Sequence, residues 1–489
     1  MFVRLSKNSF VRTTEQLGYI VNQKTRLERM YAETGVDYLK AITREIQSFE
    51  SIVRDKLMHL YDATFEEIYS DFYSVMEELA DNGFVFIGNT KEDLQKNEDK
   101  FNSEYKSNTV SKSFLQKSSQ SIEKSTQETI LDIAASTTYL MSLQFELTSK
   151  CNERCIHCYI PNIKKDLGFD LPFDLFKRSI DQFADMGGLQ VSLSGGEIFM
   201  HKDITKIIRY CREKDMQITL LSNLLALTEE HIAVIKEANV SMVQASLYSM
   251  DPNVHDMITK VNGSYYKTRR ATERLVKEDI PVMISCPIMK ANADSYPDIL
   301  HYAHSLGIKA QTDFILMAQE NLNTENLKNR LSTSEAENVI RTILKNAGVD
   351  SADSISAEGQ PNRVNLKLSQ PVCAAGITNL CINANGDVYP CNGWQGFKAG
   401  NIKTDSLNEI WTTSDSLKQL RKITRESFVE CINCDVKDYC SICLARNYNE
   451  SKGNPFHINP NLCEIARINR RVHNEMIQEN PQTNKTHLN

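Results

Sequence analysis

The sequence predicts an α/β protein in three parts: a small winged-helix-like domain, a parallel sheet built from six βα units, and a cysteine-rich domain. Three observations predict it. Between residues 141 and 316, short apolar runs alternate six times with amphipathic helical patterns. Ahead of them lie strand-like pieces and one well-marked helix. Behind them, eight cysteines fall between residues 373 and 463.

The first part covers residues 1–90. Phe2–Leu5, Ser9–Arg12 and Gly18–Val21 read as short strands. Thr64 and Glu67 have the spacing of a capping box, and Phe65, Ile68, Phe72, Val75, Met76 and Leu79 then recur at helical intervals. Gly83 ends that helix, and Phe84–Ile87 reads as a strand. Residues 91–138 are rich in Lys, Ser, Asn, Gln and Glu. They offer little apolar surface to offset the entropy of ordering, so a flexible or weakly helical linker is expected.

The central part covers residues 139–320. Its strands are expected at Met141–Leu147, Leu189–Leu193, Met216–Leu221, Ser241–Leu247, Ile280–Ile288 and Ile308–Leu316. Helices are expected at Pro172–Met186, Asp203–Lys214, Thr228–Ala238, Tyr266–Lys277 and Ser295–Ser305. Repeated βα units imply parallel strands with right-handed crossovers. Six units make either an open sheet or an incomplete barrel. Chemistry in such barrels gathers on the loops after the strands. Residues 321–368 read as a polar bridge, 369–470 as the cysteine-rich domain and 471–489 as a frayed tail. No repeat of solenoid period is present.

Bulk composition narrows the function. The chain of 489 residues is 41% hydrophobic and 24% charged, with a formal net charge of −7. A general nucleic-acid binder would be basic, so no nucleic-acid partner is expected. No run of about 18 apolar residues is present, so no membrane span is expected either. The start, MFVRLSKNSF, lacks the apolar core of a secretory signal. A cytoplasmic protein keeps its thiols reduced. Thirteen cysteines, an odd number, then read as ligands rather than a disulfide framework.

The stretch "TSKCNERCIHCYIP" holds Cys151, Cys155 and Cys158 in one tight loop after the first barrel strand. Thiolates hold iron–sulfur clusters, usually four per 4Fe–4S cube. Three would leave one iron open to a small chelating molecule, as catalytic zinc keeps an open position. Zinc itself is the competing occupant. CxxxCxxC in this place, with His157 before the last cysteine, resembles the radical S-adenosylmethionine enzymes. The resemblance implies a partial (β/α)6 TIM-like barrel. It also implies that the open iron binds S-adenosylmethionine, which an electron cleaves to a 5′-deoxyadenosyl radical. In "SLSGGEIF", Gly195, Gly196 and Glu197 follow the second strand. The glycines permit close approach to backbone, and Glu197 offers a carboxylate to an ammonium. By the same resemblance this motif meets the amino group of the cofactor. Ser222, Asn223 and Ser246, at the ends of the third and fourth strands, would touch its ribose or methionine; as an alternative they cap helices.

The later cysteines include CxxC-x5-CxxC, which suits zinc or iron–sulfur equally by spacing. Together with Gly386-x4-Cys391 and a final cysteine, they resemble the SPASM extension of radical S-adenosylmethionine proteins. This would make the C-terminal part a cysteine-rich Fe–S domain with two auxiliary 4Fe–4S clusters, three clusters in all. Cys373, Cys381, Cys391 and Cys443 would hold one; Cys431, Cys434, Cys440 and Cys463 would hold the other. The gap between Cys440 and Cys443 is one residue shorter than the common pattern, which puts the partition in question. Cys211 reads as a small buried hydrophobe, and Cys286 lies in the fifth strand.

SPASM proteins commonly modify peptides, and residues 1–90 resemble the PqqD-type domain that binds a leader peptide as an added strand. The resemblances together imply a maturase that cross-links a ribosomally synthesised precursor peptide through a thioether or carbon–carbon bond. A flavodoxin- or ferredoxin-type protein would supply electrons. Two rivals are an anaerobic sulfatase-maturating, formylglycine-generating enzyme and a non-catalytic peptide-binding electron carrier. Tyr248, His255 and Asp256 lie in a further stretch similar to peptide maturases, without an assigned role.

Overall fold

The computed structural model describes residues 1–104, 138–314, 316–347 and 368–479. The linker after residue 104, residues 348–367 of the bridge and residues 480–489 of the tail lie outside the described residues.

The N-terminal domain holds two small antiparallel sheets. Strands β1 (Phe2–Leu5), β2 (Ser9–Thr13), β3 (Leu17–Asn22), β4 (Leu27–Ala32), β5 (Gln47–Ser48) and β6 (Val85–Gly88) form sheets in the orders β2-β3-β4 and β5-β1-β6. Apolar side chains from both sheets meet the helices Thr34–Ala41 and Phe65–Asp81. Phe72 lies against Phe49 and Tyr38 at ring separations of 5.1 and 5.4 Å. Thr64 and Glu67 form the expected capping box. Between Val21 and Thr64 the sequence reads as a helical region; Thr34–Ala41 is a helix, whereas Leu27–Ala32 is strand β4, whose adjacent charges Glu28 and Arg29 break the alternation of a strand.

The beginning of the expected linker is an ordered helix, Lys91–Glu104. Two side chains spaced seven apart anchor it. Leu94 is fully buried, and the ring of Phe101 packs edge-on against Phe86. Gly88 lets the helix backbone approach: a Cβ there would stand 2.3 Å from the amide nitrogen of Leu94. Polar residues tie it down as well: Glu98 pairs with Arg4, and Asn97 donates to the Ile87 carbonyl at 2.9 Å.

The central sheet runs β12-β11-β10-β9-β8-β7-β13-β14-β15. Strands β7 (Ser142–Thr148), β8 (Gln190–Gly195), β9 (Gln217–Ser222), β10 (Met242–Ser246), β11 (Val282–Pro287) and β12 (Lys309–Asp313) pair in parallel in chain order. The helices Phe173–Asp185, Ile204–Glu213, Glu229–Glu237, Ser264–Lys277 and Tyr296–Ser305 fill the crossovers. The partial (β/α)6 barrel is therefore present. β13 (Asn379–Ile382) continues it, pairing in parallel with β7 and antiparallel with β14 (Asp387–Tyr389), which β15 (Gly400–Asn401) follows. The cysteine-rich domain is thus joined to the barrel by backbone hydrogen bonds, and its Trp394, Leu407 and Leu417 share the barrel's apolar core. The helix Pro460–Glu479 extends into the expected tail. Ile465, Ile468, Val472 and Met476 pack against Val339 and Ile340 of the helix Thr333–Ala347.

The N-terminal domain sits at the end of the barrel where the strands begin. Phe10, Leu17, Tyr19 and Val21 pack on Leu189 and Met141. The Arg12 guanidinium donates to the carbonyls of Gly188, Lys214 and Asp215 at 3.1, 3.0 and 3.3 Å. Gln23 donates to the Met216 carbonyl at 2.7 Å. Replacing Arg12 by Met removes one donor group from three carbonyls, a loss of about 1–3 kcal/mol. Hydrogen exchange should then quicken at residues 187–189 and 214–216 and stay unchanged in β10 and β11.

Candidate metal and cofactor site

The three-cysteine loop leaves β7 at Thr148. Neighbouring segments hold its backbone in place. Arg154 and Ile156 donate their amides to the carbonyls of Thr259 and Ile258, both at 3.0 Å. The side chains of Asn326 and Asn329 donate to the carbonyls of His157 and Ile156. Part of the expected bridge is therefore a brace for this loop.

The three cysteines are half-buried. Burial pushes the Cys151 thiol up to about 11 and raises Cys155 further, helped by the carboxylate of Glu153. The sulfur of Cys155 lies 3.1 Å from that carboxylate and 3.9 Å from the Tyr248 hydroxyl. Such thiols lose their protons only to a strongly bound metal, so loading should release protons. His157 Nδ1 and one oxygen of Glu153 are buried with no hydrogen-bond partner. Three thiols carried by one loop fit the ligand set of an iron–sulfur cluster that keeps one iron open.

Gly195 and Gly196 lie against this loop. Gly196 donates its amide to Thr148 O at 2.7 Å, and Glu197 to Lys150 O at 2.8 Å. A Cβ at Gly195, whose φ is +136°, would stand 2.4 Å from Thr148 O; one at Gly196 would stand 2.1 Å from Lys150 O. The glycines are thus required by the cluster loop itself. Glu197 also has partners within the protein. Its carboxylate is fully buried and accepts from the Ser222 hydroxyl at 2.6 Å, the Asn223 amide at 2.7 Å and the Phe199 amide at 3.1 Å. It ties the end of β8 to the end of β9. Ser222 and Asn223 serve the same tie, and neither caps the next helix, whose N-cap is Thr228. The Asn223 side chain donates to Asn152 within the cluster loop at 2.8 Å. Ser246 ends β10, two residues before Tyr248.

Tyr248 is buried with its ring edge-on to His157 at 4.9 Å. His255 accepts from the Tyr248 amide, and burial lowers its pKa to about 4, so it is neutral. Asp256 accepts from Gly263, Ser264 and Tyr265 at the start of the following helix, a structural role. Cys211 and Cys286 are both buried in apolar clusters.

Sequence reasoning missed a charged network between the two cysteine-rich regions. Tyr159 and Gln395 donate to opposite oxygens of Glu146 at 2.7 and 2.6 Å. Lys164 lies 2.8 Å from Glu320 and 4.0 Å from Glu146. Burial pushes the Glu320 carboxyl up to about 7, against the pull of Lys164. A carboxyl poised there can accept or release a proton near neutrality. The only sequence signal was Glu146, a charge inside an apolar strand.

The later cysteines gather as two sets. Cys373, Cys391 and Cys443 interact with one another, and Cys381 with Cys391; burial lifts these thiols, Cys391 to about 12. Cys431, Cys434, Cys440 and Cys463 form the other set. The shortened gap leaves Cys440 and Cys443 facing different sets.

Residues 145–303 match the Radical SAM superfamily, and residues 373–435 match SPASM, an iron–sulfur cluster-binding domain. The chain thus carries a Radical SAM region followed by a SPASM region. It is 27% identical over 333 residues to the antilisterial bacteriocin subtilosin biosynthesis protein AlbA of Bacillus subtilis, a match covering 66% of this chain and 70% of that one. It is 25% identical over 325 residues to the AdoMet-dependent heme synthase of Methanosarcina barkeri, covering 63% and 91%. Its fold is similar to that of Streptococcus suis SuiB bound to the precursor peptide SuiA, with a TM-score of 0.61 at 15% identity, covering 94% of this chain and 99% of that one.

Two outcomes follow for this site. Gly196→Ala forces a methyl group into Lys150 O, so the reconstituted variant should hold less iron per chain than the native protein. The Glu197 carboxyl is raised by burial to about 6, against hydrogen bonds that lower it. The folded state therefore keeps this proton more tightly than the unfolded chain. Its contribution is full below about 4.5 and is lost as pH rises through 6, amounting to about 2 kcal/mol. Denaturant titrations of the metal-free protein at pH 4.5 and 7 should show that loss relative to Glu197→Gln, which does not ionise.

Proposed function

We propose that this enzyme matures a ribosomally synthesised peptide, holding its leader on the N-terminal domain and closing a thioether or carbon–carbon cross-link in its core. The observation that carries the reading is the small domain with an open sheet edge clamped to the barrel. β4 pairs with β3 and ends its sheet, and an extended peptide can add there through main-chain hydrogen bonds. The likeness to SuiB, whose structure holds a precursor peptide, spans 94% of this chain.

When bound, S-adenosylmethionine and the reduced cluster at Cys151, Cys155 and Cys158 supply the radical that takes a hydrogen atom from the peptide. The chain holds that site with Gly195, Gly196, Glu197, Ser222 and Asn223, with Ser246 beside it. Closing a cross-link then sheds one electron and one proton. The two sets of four cysteines would hold auxiliary 4Fe–4S clusters to carry the electron, and a flavodoxin- or ferredoxin-type protein would supply the first one. The Glu146–Lys164–Glu320 network, linked to Asn392 beside Cys391 through Tyr159, is placed to take the proton.

Anaerobic protein should carry about twelve irons per chain if all three clusters form. With a reductant it should release 5′-deoxyadenosine, and Cys155→Ala should release none. Added leader peptide should slow hydrogen exchange at residues 27–32; unchanged exchange there would overturn the leader assignment and favour a substrate without one.

Geometry also limits the peptide. The N-terminal domain lies where the barrel strands begin and the cluster loop where they end. β7 has seven residues, so its length is about 20 Å. A chain spans at most about 3.3–3.6 Å per residue, so at least about six residues must separate the bound leader from the modified position. Precursors shortened below that spacing should remain unmodified by mass spectrometry while still binding.

A further inference from the structure

We propose that the peptide taken up by the edge of β4 is cationic, with lysine or arginine at alternate positions. The inference rests on the leader-binding part of the proposed function and adds the chemistry that this edge selects. β4 ends its sheet, and its two faces differ. Leu27 and Tyr31 pack into the N-terminal core, whereas Met30 on the opposite face packs with Phe10 and with Leu189 of the barrel. On that barrel face Glu28 accepts from the Gln217 side chain at 3.2 Å. On the other face stands the helix Phe65–Asp81. Its Glu78 accepts from the Tyr31 hydroxyl at 3.4 Å and lies 4.0 Å from the Arg29 guanidinium. A strand added to β4 would alternate its side chains between the same two sides.

That helix carries charge of one sign. Glu66, Glu67, Asp71, Glu77, Glu78 and Asp81 are all exposed, and no Lys or Arg occurs between residues 57 and 90. Among the described residues, Glu78 is the one member of the six within ion-pair distance of a cation, at the outer limit of that distance. Asp71 and Asp81 lie seven residues before Glu78 and three after it, so helical spacing sets them on the side that Glu78 turns to β4. An added strand with an ammonium or guanidinium at every second residue meets these carboxylates with one face and the barrel with the other. Consecutive cations would put half of their charge on the wrong side. Exposed charges of this kind act on encounter and on choice of partner more than on total affinity. The backbone pairing holds the peptide, and the acids turn away an anionic one.

Full-length protein would be offered two short labelled peptides of equal length, one alternating Val with Lys and the other alternating Val with Glu. Binding would be followed by fluorescence anisotropy and by hydrogen exchange. The lysine peptide should bind about tenfold more tightly, the yield of a few exposed ion pairs, and should slow exchange at residues 27–32. Salt at about 1 M should erase the difference. Glu78→Lys combined with Asp81→Lys should abolish the preference, and the neutral pair Glu78→Gln with Asp81→Asn should weaken it. A peptide of the same composition with its lysines in adjacent pairs should bind less well. Equal binding of the lysine and glutamate peptides would overturn the inference, as would a preference that survives high salt or the charge reversal. Equal binding of the paired-lysine peptide would overturn the alternation. Protection of residues 27–32 that grows with protein concentration in the absence of peptide would make the edge a contact between copies of this chain, and would overturn it too. Protection by neither peptide would instead sink the leader assignment itself.

Discussion

The backbone contact between the ends of β7 and β8 organises the site. Gly196 and Glu197 donate their amides to the carbonyls of Thr148 and Lys150, so the loop that carries the three cysteines is paired to the next strand's end. Neither glycine has space for a methyl group. That contact sets where Cys151 begins its turn. From it follow the placement of Cys155 near Tyr248, the packing of His157, and the course of the chain into the helix that carries Lys164 and Lys165. Glu197 extends the same lock to β9 through Ser222 and Asn223. A carboxylate held by three donors in a dry interior is costly to disturb, because each donor left behind would be unsatisfied.

Burial with incomplete compensation recurs along the path between the cysteine-rich regions. The thiols of Cys151, Cys155, Cys381 and Cys391 are all raised, chiefly by burial. Between them, Glu146 and Glu320 share one lysine, leaving the group short of positive charge. Charges placed this way are poorly balanced by protein alone. Metal clusters would alter that balance, so the charge pattern belongs with the ligands as part of one design.

The union of barrel and cysteine-rich domain is the second structural commitment. β13 adds to β7 in parallel, so the strand that launches the first cysteine loop also carries Cys381 beside it in the sheet. Electron transfer between cofactors depends on fixed separation. A shared sheet holds that separation more firmly than a flexible joint would.

Much of this was legible in the sequence, for an identifiable reason. Periodicity reports burial, so six strands and five crossover helices stood out, and CxxxCxxC marked candidate ligands because thiols at short spacing have few other uses. The capping box at Thr64 and Glu67 was equally local. What lay beyond the sequence was long-range. The helix Lys91–Glu104 looked like linker because Leu94 and Phe101 are its apolar anchors, while its other ties to the domain, such as Arg4–Glu98 and Asn97 to the Ile87 carbonyl, are polar. Glu197 looked free because its three donors come partly from a strand 25 residues later. The pairing of β13 with β7 joins segments by closeness in space. Sequence alone determined which residues could bind metal and which faces would be buried, since both follow from side-chain chemistry and local repeat. Only the tertiary structure decided which buried charges meet, because that depends on how separate strands stack and on which polar atoms are left without water.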